Sequence, residues 1–394
     1  MPELFLIGTH ALSSRSTIVG SIAVSIAFVM ELTLVPLLLP AIQKQLDLSI
    51  GELAWVFNSY GISVAVGVLL GGWLGDAFRT KRVFAIGVLF FAMGSGIVAL
   101  AHSYELMIAG RMLQGFGGGI FSPLVPILLT SASPGRPGRV LIVWGSLTGY
   151  VAAFAPLIYS SLFSDFGWGL AFITFAIVSI CALMIVNRSQ IVTNAEAERM
   201  SVRRYGQLLE RGRLLAMFGY VFCTYGAITY FLFRLPLILA ESNFQVVNIG
   251  LILSIMWLSF SLVSTLLKNS VDAPRVRGIL LAAPILIASG FPLVPYCEDI
   301  TCLVIAAVLL GSGLACSNAP STQMILKFAP TGMSAVSASL DITFARLGGV
   351  ATVAFLAESM FDYAVVTILV MSLVAFFCAL YASREFNGAS WTTP

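Results

Sequence analysis

Charged residues are scarce in this sequence. Asp, Glu, Lys and Arg make up only 10% of the 394 residues, against about 25% in a typical soluble domain. Hydrophobic residues reach 59% and the mean hydropathy is +0.98, which excludes a soluble globular protein and places the chain in a lipid bilayer. The net charge is only +3 and no run of Lys or Arg occurs, so nucleic acid is excluded as a partner.

The residues of an enzyme active site are also missing. His10 and His102 are the only histidines. The sequence contains no H-E-x-x-H pattern for a metal and no G-x-x-x-x-G-K loop for a nucleotide. We therefore expect neither enzymatic activity nor a bound metal or cofactor.

Cysteine is infrequent and lies mostly in apolar surroundings. Four of the six cysteines lie inside hydrophobic runs, where Cys behaves as a small hydrophobic residue. Cys297 and Cys302 are in the polar loop YCEDITC and would form a disulfide if this loop faces an oxidising compartment. Nothing else in the sequence indicates a disulfide scaffold, so the pairing stays open.

Twelve apolar segments have about the 20 residues that a helix needs to cross a bilayer. The predicted spans are residues 17–40, 53–75, 83–101, 106–131, 140–163, 168–187, 214–239, 246–267, 278–296, 301–326, 332–357 and 363–383. The first is too long for the core of a signal peptide. The sequence therefore predicts an all-α integral membrane protein.

Basic residues predict how the spans are oriented. Seventeen of the 21 Lys and Arg residues lie in loops that follow even-numbered spans or at the chain ends, and Lys44 alone lies in an opposite loop. Because short cytoplasmic loops are enriched in Lys and Arg, both termini are predicted to be cytoplasmic, in a bacterial inner membrane.

The spans divide six and six around the longest polar segment, and short stretches repeat at equivalent places in the two halves. VPLLLPA (35–41) resembles LPLILAE (235–241), and QGFGGGIFSP (114–123) resembles LGSGLACSNAP (310–320). We therefore expect two pseudo-symmetric six-helix bundles. The predicted parts are a bundle at residues 1–187, a cytoplasmic linker at 188–213 and a bundle at 214–394.

The turn after the second span reads GGWLGDAFRTKRVF, residues 71–84. A membrane anchor with a helix-ending glycine would explain its basic residues but not its carboxylate. The turn resembles the signature loop of the major facilitator superfamily, G-x-L-(A/G)-D-x-x-G-R-(K/R). The matching residues are Gly72, Leu74, Gly75, Asp76 and Lys81, while Arg79 stands at the glycine position and Thr80 at the arginine position.

A second resemblance lies in the fourth span, where LMIAGRMLQGFGGG matches R-x-x-Q-G-x-G at Arg111, Gln114, Gly115 and Gly117. In the first span, MELTLVPLLLP places Glu31 and Thr33 where one group of relatives has an acid and a threonine. The first four helices look most like the drug:proton antiporter branches. The antiporter pattern G-P-x-x-G-G of the fifth helix is represented only by Pro156.

Glu31 and Arg111 are the predicted proton-coupling residues. Hydrocarbon disfavours a charged carboxylate by about 2.5–3.5 kcal/mol, so Glu31 should face a cavity or a partner. Counted along their helices, Glu31 lies about 14 Å and Arg111 about 8–12 Å from the outer side. If spans 1 and 4 line one cavity, as the resemblance implies, Arg111 would keep Glu31 charged until substrate or a conformational change separates them. The alternatives are a purely structural carboxylate and an arginine that extends outward as an anchor.

Two further sets of residues are predicted. Candidate substrate-binding residues are Thr33, Gln114, Tyr225, Tyr230, Arg234, Asp341 and Arg346. Candidate residues of a conformational switch, implied by the resemblance, are Gly72, Asp76, Lys81 and Arg82. The interior charges Glu31, Asp341, Arg111, Arg234 and Arg346 sum to +1, which favours anionic or zwitterionic substrates.

The sequence thus predicts a monomeric, proton-coupled secondary transporter that exports a small organic or amphiphilic compound by alternating access, with the proton gradient as its energy source. Export of a carboxylate-bearing metabolite such as a siderophore is the first alternative. Uptake by proton symport and a non-transporting sensor on the same fold are the others.

Overall fold

The structure is a computed structural model that describes residues 2–133, 135–188, 208, 211–268, 276–297, 299–330 and 333–384. Side chains are described from residue 14 onward, except at 72, 73, 75–77 and 335. Within these ranges the chain forms α-helices and short 3₁₀-helices, and no strand.

Thirteen α-helices lie in the described part of the chain. They are α1 (Pro2–Leu46), α2 (Ile50–Ala77), α3 (Thr80–Ala99), α4 (Tyr104–Phe121), α5 (Val125–Ser131), α6 (Pro137–Leu162), α7 (Gly169–Asn187), α8 (Gly212–Glu241), α9 (Val246–Leu267), α10 (Val276–Gly290), α11 (Ile300–Phe328), α12 (Ser334–Leu356) and α13 (Phe361–Ala382). A 3₁₀ turn at Ser122–Leu124 joins α4 to α5, and another at Phe291–Tyr296 extends α10.

Among the described residues, twelve helical segments are long and apolar enough to cross a membrane. Each overlaps one of the twelve predicted spans, so the predicted all-α membrane fold is confirmed. The main difference is in α1, which begins at Pro2, before the predicted start of its span at residue 17, and continues past the predicted end at residue 40 to Leu46. The last turn of α1 contains Lys44. The predicted span ended before this polar turn because the span was defined by apolar residues alone.

The described helices divide into two compact units. The first unit contains α1, α3, α4, α5 and α7 together with most of α2 and α6. The second contains α8 to α13, the segment Ser49–Ala54 that begins α2, and the segment Pro156–Leu162 that ends α6. Of the predicted linker at 188–213, the structure describes only residues 188, 208 and 211–213.

Glycines allow α4 to pack closely against three helices of the first unit. A Cβ atom added to Gly119 would clash with the carbonyl of Val64 on α2, and one added to Gly117 would clash with the backbone of α3. A Cβ on Gly118 would press on the ring of Phe28 of α1. Such close packing is typical of small residues between membrane helices.

In the second unit, α8 packs against α12 and α13, and α11 packs against α9, α10 and α8. Near the start of α11, Cys297 and Cys302 form a disulfide, with their Cα atoms 5.2 Å apart. Of the two outcomes that the sequence left open, the structure therefore has the bonded one.

Candidate functional site

Glu31 and Arg111 meet inside the first unit. Glu31 lies near the middle of the candidate membrane span Ser14–Leu46 of α1, and Arg111 lies two turns into α4. Nη1 of Arg111 donates to Oε1 of Glu31 at 2.6 Å, and each residue is 1% exposed. The structure thus brings the two predicted coupling residues into a buried ion pair.

Four helices hold the Arg111 guanidinium in place. Besides Glu31 on α1, its Nη1 group donates to Oε1 of Gln114 on α4 at 2.7 Å, and its Nε group donates to the carbonyl of Val56 on α2 at 3.3 Å. The Tyr60 ring lies 4.3 Å from Cζ, a favourable position for a cation beside an aromatic face. Gln114 is itself oriented from α3, because its Nε2 group donates to Oγ of Ser95 at 2.9 Å.

The carboxylate of Glu31 is only partly satisfied. Its Oε1 atom accepts from Arg111, while its Oε2 atom is buried and has no hydrogen-bond partner among the described residues. A buried polar atom without a partner costs free energy comparable to a lost hydrogen bond. Oε2 is therefore the atom at which a proton could be held with the least disturbance of the surrounding contacts.

Thr33 lies two residues beyond Glu31 on α1, about 200° further around the helix at about 100° per residue, and its hydroxyl is already used. It donates to the carbonyl of Val29 at 3.0 Å, and the carbonyl of Met30 lies 3.3 Å away. The residue is 1% exposed. In this conformation Thr33 is bonded within its own helix.

A second polar cluster lies in the second unit, where α8, α11 and α12 meet. The Tyr225 hydroxyl donates to Oδ1 of Asn318 at 2.7 Å. One turn further along α11, the Thr322 hydroxyl donates to Oδ2 of Asp341 on α12 at 2.5 Å. Two of the predicted substrate-binding residues, Tyr225 and Asp341, thus lie in one cluster.

The other predicted substrate-binding residues of the second unit are placed differently. Tyr230 is fully buried, and its hydroxyl donates to the carbonyl of Leu356 at 3.3 Å, as a packing residue would. Arg234 already has a carboxylate partner at 3.4 Å in the exposed Glu241 at the end of α8. When this pair is left out, the interior charges sum to zero, which removes the reason for favouring anionic substrates. Arg346 is half-buried on α12.

The predicted switch residues surround the link between α2 and α3. The side chain of Asp76 and the surroundings of Gly72 are not described, although both positions are helical. Lys81 Nζ donates to the carbonyl of Asn187 at the end of α7, at 3.3 Å, where a cation is favoured by the helix dipole. Arg82 is exposed.

Several site residues were not identified from the sequence. Asn318 and Thr322 stand four residues apart inside an apolar span, and this spacing on one helix face was a usable signal. No sequence signal indicated Ser95 or the carbonyl of Val56, because a lone serine and a backbone group belong to no recognisable pattern. Among the described residues, no group of His, Cys, Asp and Glu is arranged to hold a metal ion.

The arrangement of Glu31, Arg111 and Gln114 falls on the residues that resemble two family signatures. A model of the Major Facilitator Superfamily matches residues 20–353. The chain belongs to the Major Facilitator Superfamily. This membership confirms both the predicted family and the prediction that the chain is not an enzyme.

Similar proteins of this superfamily include resistance and export proteins. The chain is 32% identical over 181 residues to a tetracenomycin C resistance and export protein of Streptomyces glaucescens, which covers 45% of this chain and 33% of the relative. It is 36% identical over 135 residues to a multidrug resistance protein B homolog of Mycobacterium tuberculosis, covering 34% of this chain and 25% of the relative. The matched segments thus span only about a quarter to a third of these relatives.

The fold itself is shared over the whole length with solved transporters. An auto-inhibited peptide transporter of the POT family superposes with a TM-score of 0.76, covering 97% of this chain and 98% of its own. At 16% identity, this likeness establishes the fold of this superfamily member and leaves its substrate open.

Proposed function

We propose that this protein is a proton-coupled secondary transporter that exports a small organic compound by alternating access. One observation carries the proposal: a carboxylate in the middle of a membrane span, with one oxygen paired to a buried arginine and the other unbonded. The similarity to resistance and export proteins supports export of a small molecule.

The ion pair links protonation to conformation. If Glu31 took up a proton while Arg111 kept its place, the guanidinium would become a buried cation without a counterion, at a cost of about 3–5 kcal/mol. A loaded Glu31 is therefore stable only in a conformation in which Arg111 finds water or another partner. Each 100 mV of membrane potential supplies about 2.3 kcal/mol per charge moved, which is less than this cost, so the change that gives Arg111 a new partner has to accompany protonation.

The first prediction tests this coupling. In inverted membrane vesicles with an imposed pH gradient, the wild-type protein should accumulate tetracenomycin C or rhodamine 6G, and Glu31→Gln should abolish accumulation because it cannot exchange a proton. The exposed Asp165→Asn variant is the matched control and should transport normally. Full gradient-driven accumulation by Glu31→Gln would remove Glu31 from the coupling mechanism.

The alternatives differ in the flux they predict. Export of a carboxylate-bearing metabolite such as a siderophore was favoured by the embedded arginines, but Arg111 and Arg234 each pair with a carboxylate, so that support is weaker. Proton symport for uptake would reverse the direction of flux, and a sensor would show none. We further propose that the protein acts as a monomer in the bacterial inner membrane with both termini cytoplasmic.

A further inference from the structure

Two exposed arginines lie where the start of α3 meets the end of α7, on the surface of the first unit. Lys81 Nζ donates to the carbonyl of Asn187 at 3.3 Å, and Arg82 and Arg188 are the residues that follow these two along the chain. Neither arginine forms an ion pair with a described residue. Because α3 and α7 contain no Asp or Glu, neither helix supplies a counterion for this positive charge.

An exposed apolar stripe continues from each arginine along its helix. The six exposed side chains are Ile86, Leu89 and Met93 on α3 and Met184, Cys181 and Ile177 on α7. On both helices these side chains lie four, seven and eleven residues from the arginine. At about 100° per residue, this spacing keeps each arginine and its stripe on one face of the helix, within about 60°.

The two helices pack against each other as an antiparallel pair. Lys81 and Asn187 meet at one end, and at the other end a Cβ atom added to Gly169 would lie 3.3 Å from the carbonyl of Ala99. Eleven residues of helix rise by about 16 Å, which is about half of the 30 Å hydrocarbon core. Each stripe therefore has the length of one leaflet, with its arginine at the level of the lipid headgroups.

The charges at this junction are complementary to a phosphate group. A guanidinium group has a planar set of donors that fits two phosphate oxygens at once. Arg82 lies in the first turn of α3, where the free N–H groups carry a partial positive charge. Lys81 compensates the partial negative charge at the end of α7 by donating to Asn187. Arginines that serve only as anchors would extend toward water independently and would not select one headgroup.

We propose that the junction of α3 and α7 binds an anionic phospholipid. The phosphate group lies between Arg82 and Arg188, and the acyl chains lie along the two apolar stripes. The predicted topology places this lipid in the cytoplasmic leaflet, where basic pockets between membrane helices bind anionic headgroups. The site is separate from the buried Glu31–Arg111 pair, so its occupancy can be measured without a transport assay.

The test compares two lipids with identical acyl chains. In native mass spectrometry of the purified full-length protein, the first phosphatidylglycerol should bind roughly tenfold more tightly than the first phosphatidylcholine. The double variant Arg82→Gln with Arg188→Gln should lose this preference. Dihexanoyl phosphatidylglycerol should bind roughly tenfold more weakly than the long-chain lipid, because its short chains cannot cover the stripes. Millimolar inorganic phosphate should not displace the long-chain lipid.

Arg139→Gln makes the same chemical change at an exposed arginine of α6, which packs only loosely against the other described helices. This control should bind phosphatidylglycerol like the wild type. Arg82→Lys with Arg188→Lys keeps both charges and should keep the preference, which serves if the glutamine variant does not fold. Equal binding of the two lipids by the wild type, or an equal loss in Arg139→Gln, would overturn the inference. Displacement by inorganic phosphate would also overturn it, since the site would then bind an anion and not a lipid.

Discussion

At Arg111, a single guanidinium contacts side chains or carbonyls from α1, α2 and α4 while Gln114 ties it to α3. Counting along the spans predicted that Arg111 and Glu31 lie at similar depth, and that much could be worked out from the sequence. The bond to the Val56 carbonyl could not, because it depends on how α2 is rotated about its own axis. The sequence shows which buried polar groups require hydrogen-bond partners. The packing and rotation of the helices determine which partners are within reach.

The second prediction concerns the stability of this pair. Arg111→Gln should lower the free energy of unfolding by about 3–5 kcal/mol, because it leaves Glu31 as a buried charge without a counterion. The double variant Glu31→Gln with Arg111→Gln should recover part of this loss, since neither charge remains. Thermal unfolding in detergent would compare the variants, with the exposed Arg139→Gln as control. Losses that simply add in the double variant would argue against a coupled pair.

Among the described helices, α3 and α4 pack most closely. In the sequence, only their glycines indicate this close contact. Gly94 of α3 lies against the backbone of Gln114, so that an added Cβ would clash with it, whereas a Cβ at Gly96 would meet nothing within 4 Å. Both residues are glycines in the same apolar helix, two positions apart. Small residues in membrane helices are typical of close contacts, but nothing in the sequence distinguishes the glycine that makes the contact from the one that does not.

The third prediction uses this matched pair. Gly94→Ala should lower the free energy of unfolding by about 1–3 kcal/mol, because α3 and α4 must move apart, and it should also impair transport by displacing Gln114. Gly96→Ala should be neutral or slightly stabilising, since alanine favours a helix over glycine by about 1 kcal/mol. The free energy of unfolding and the transport activity in vesicles should be measured for both variants under the same conditions. Equal effects at the two positions would contradict the packing described for α3 and α4.

Over the whole molecule, the number of spans and the fold class followed from composition and hydropathy because a bilayer leaves few other solutions. The exact ends of the helices did not follow from composition and hydropathy. As α1 shows, a helix continues beyond the hydrocarbon wherever its backbone hydrogen bonds persist. The Cys297–Cys302 disulfide agrees with the predicted orientation: disulfides persist in oxidising compartments, and this loop lies opposite the basic ones in the predicted topology.

The fourth prediction tests that orientation at the two ends of one span. In a variant with all six cysteines replaced, Asp165→Cys should react with a membrane-impermeant maleimide added to intact cells. Arg139→Cys should react only after the membrane is permeabilised, because the positive-inside rule places it in the cytoplasm. Both native residues are exposed, so access to the reagent is not limited by burial. The reverse labelling pattern would invert the topology and with it the direction of transport.

Between α2 and α3 the chain has only Phe78 and Arg79, and Arg79 adopts φ −61° and ψ 115°, an extended conformation open to any residue. The usual glycine is therefore dispensable here. Three virtual bonds of 3.8 Å limit the distance from Ala77 to Thr80 to about 11 Å. Whatever rearrangement moves a substrate across the bilayer, the adjoining ends of these two helices must stay within that distance of each other throughout it.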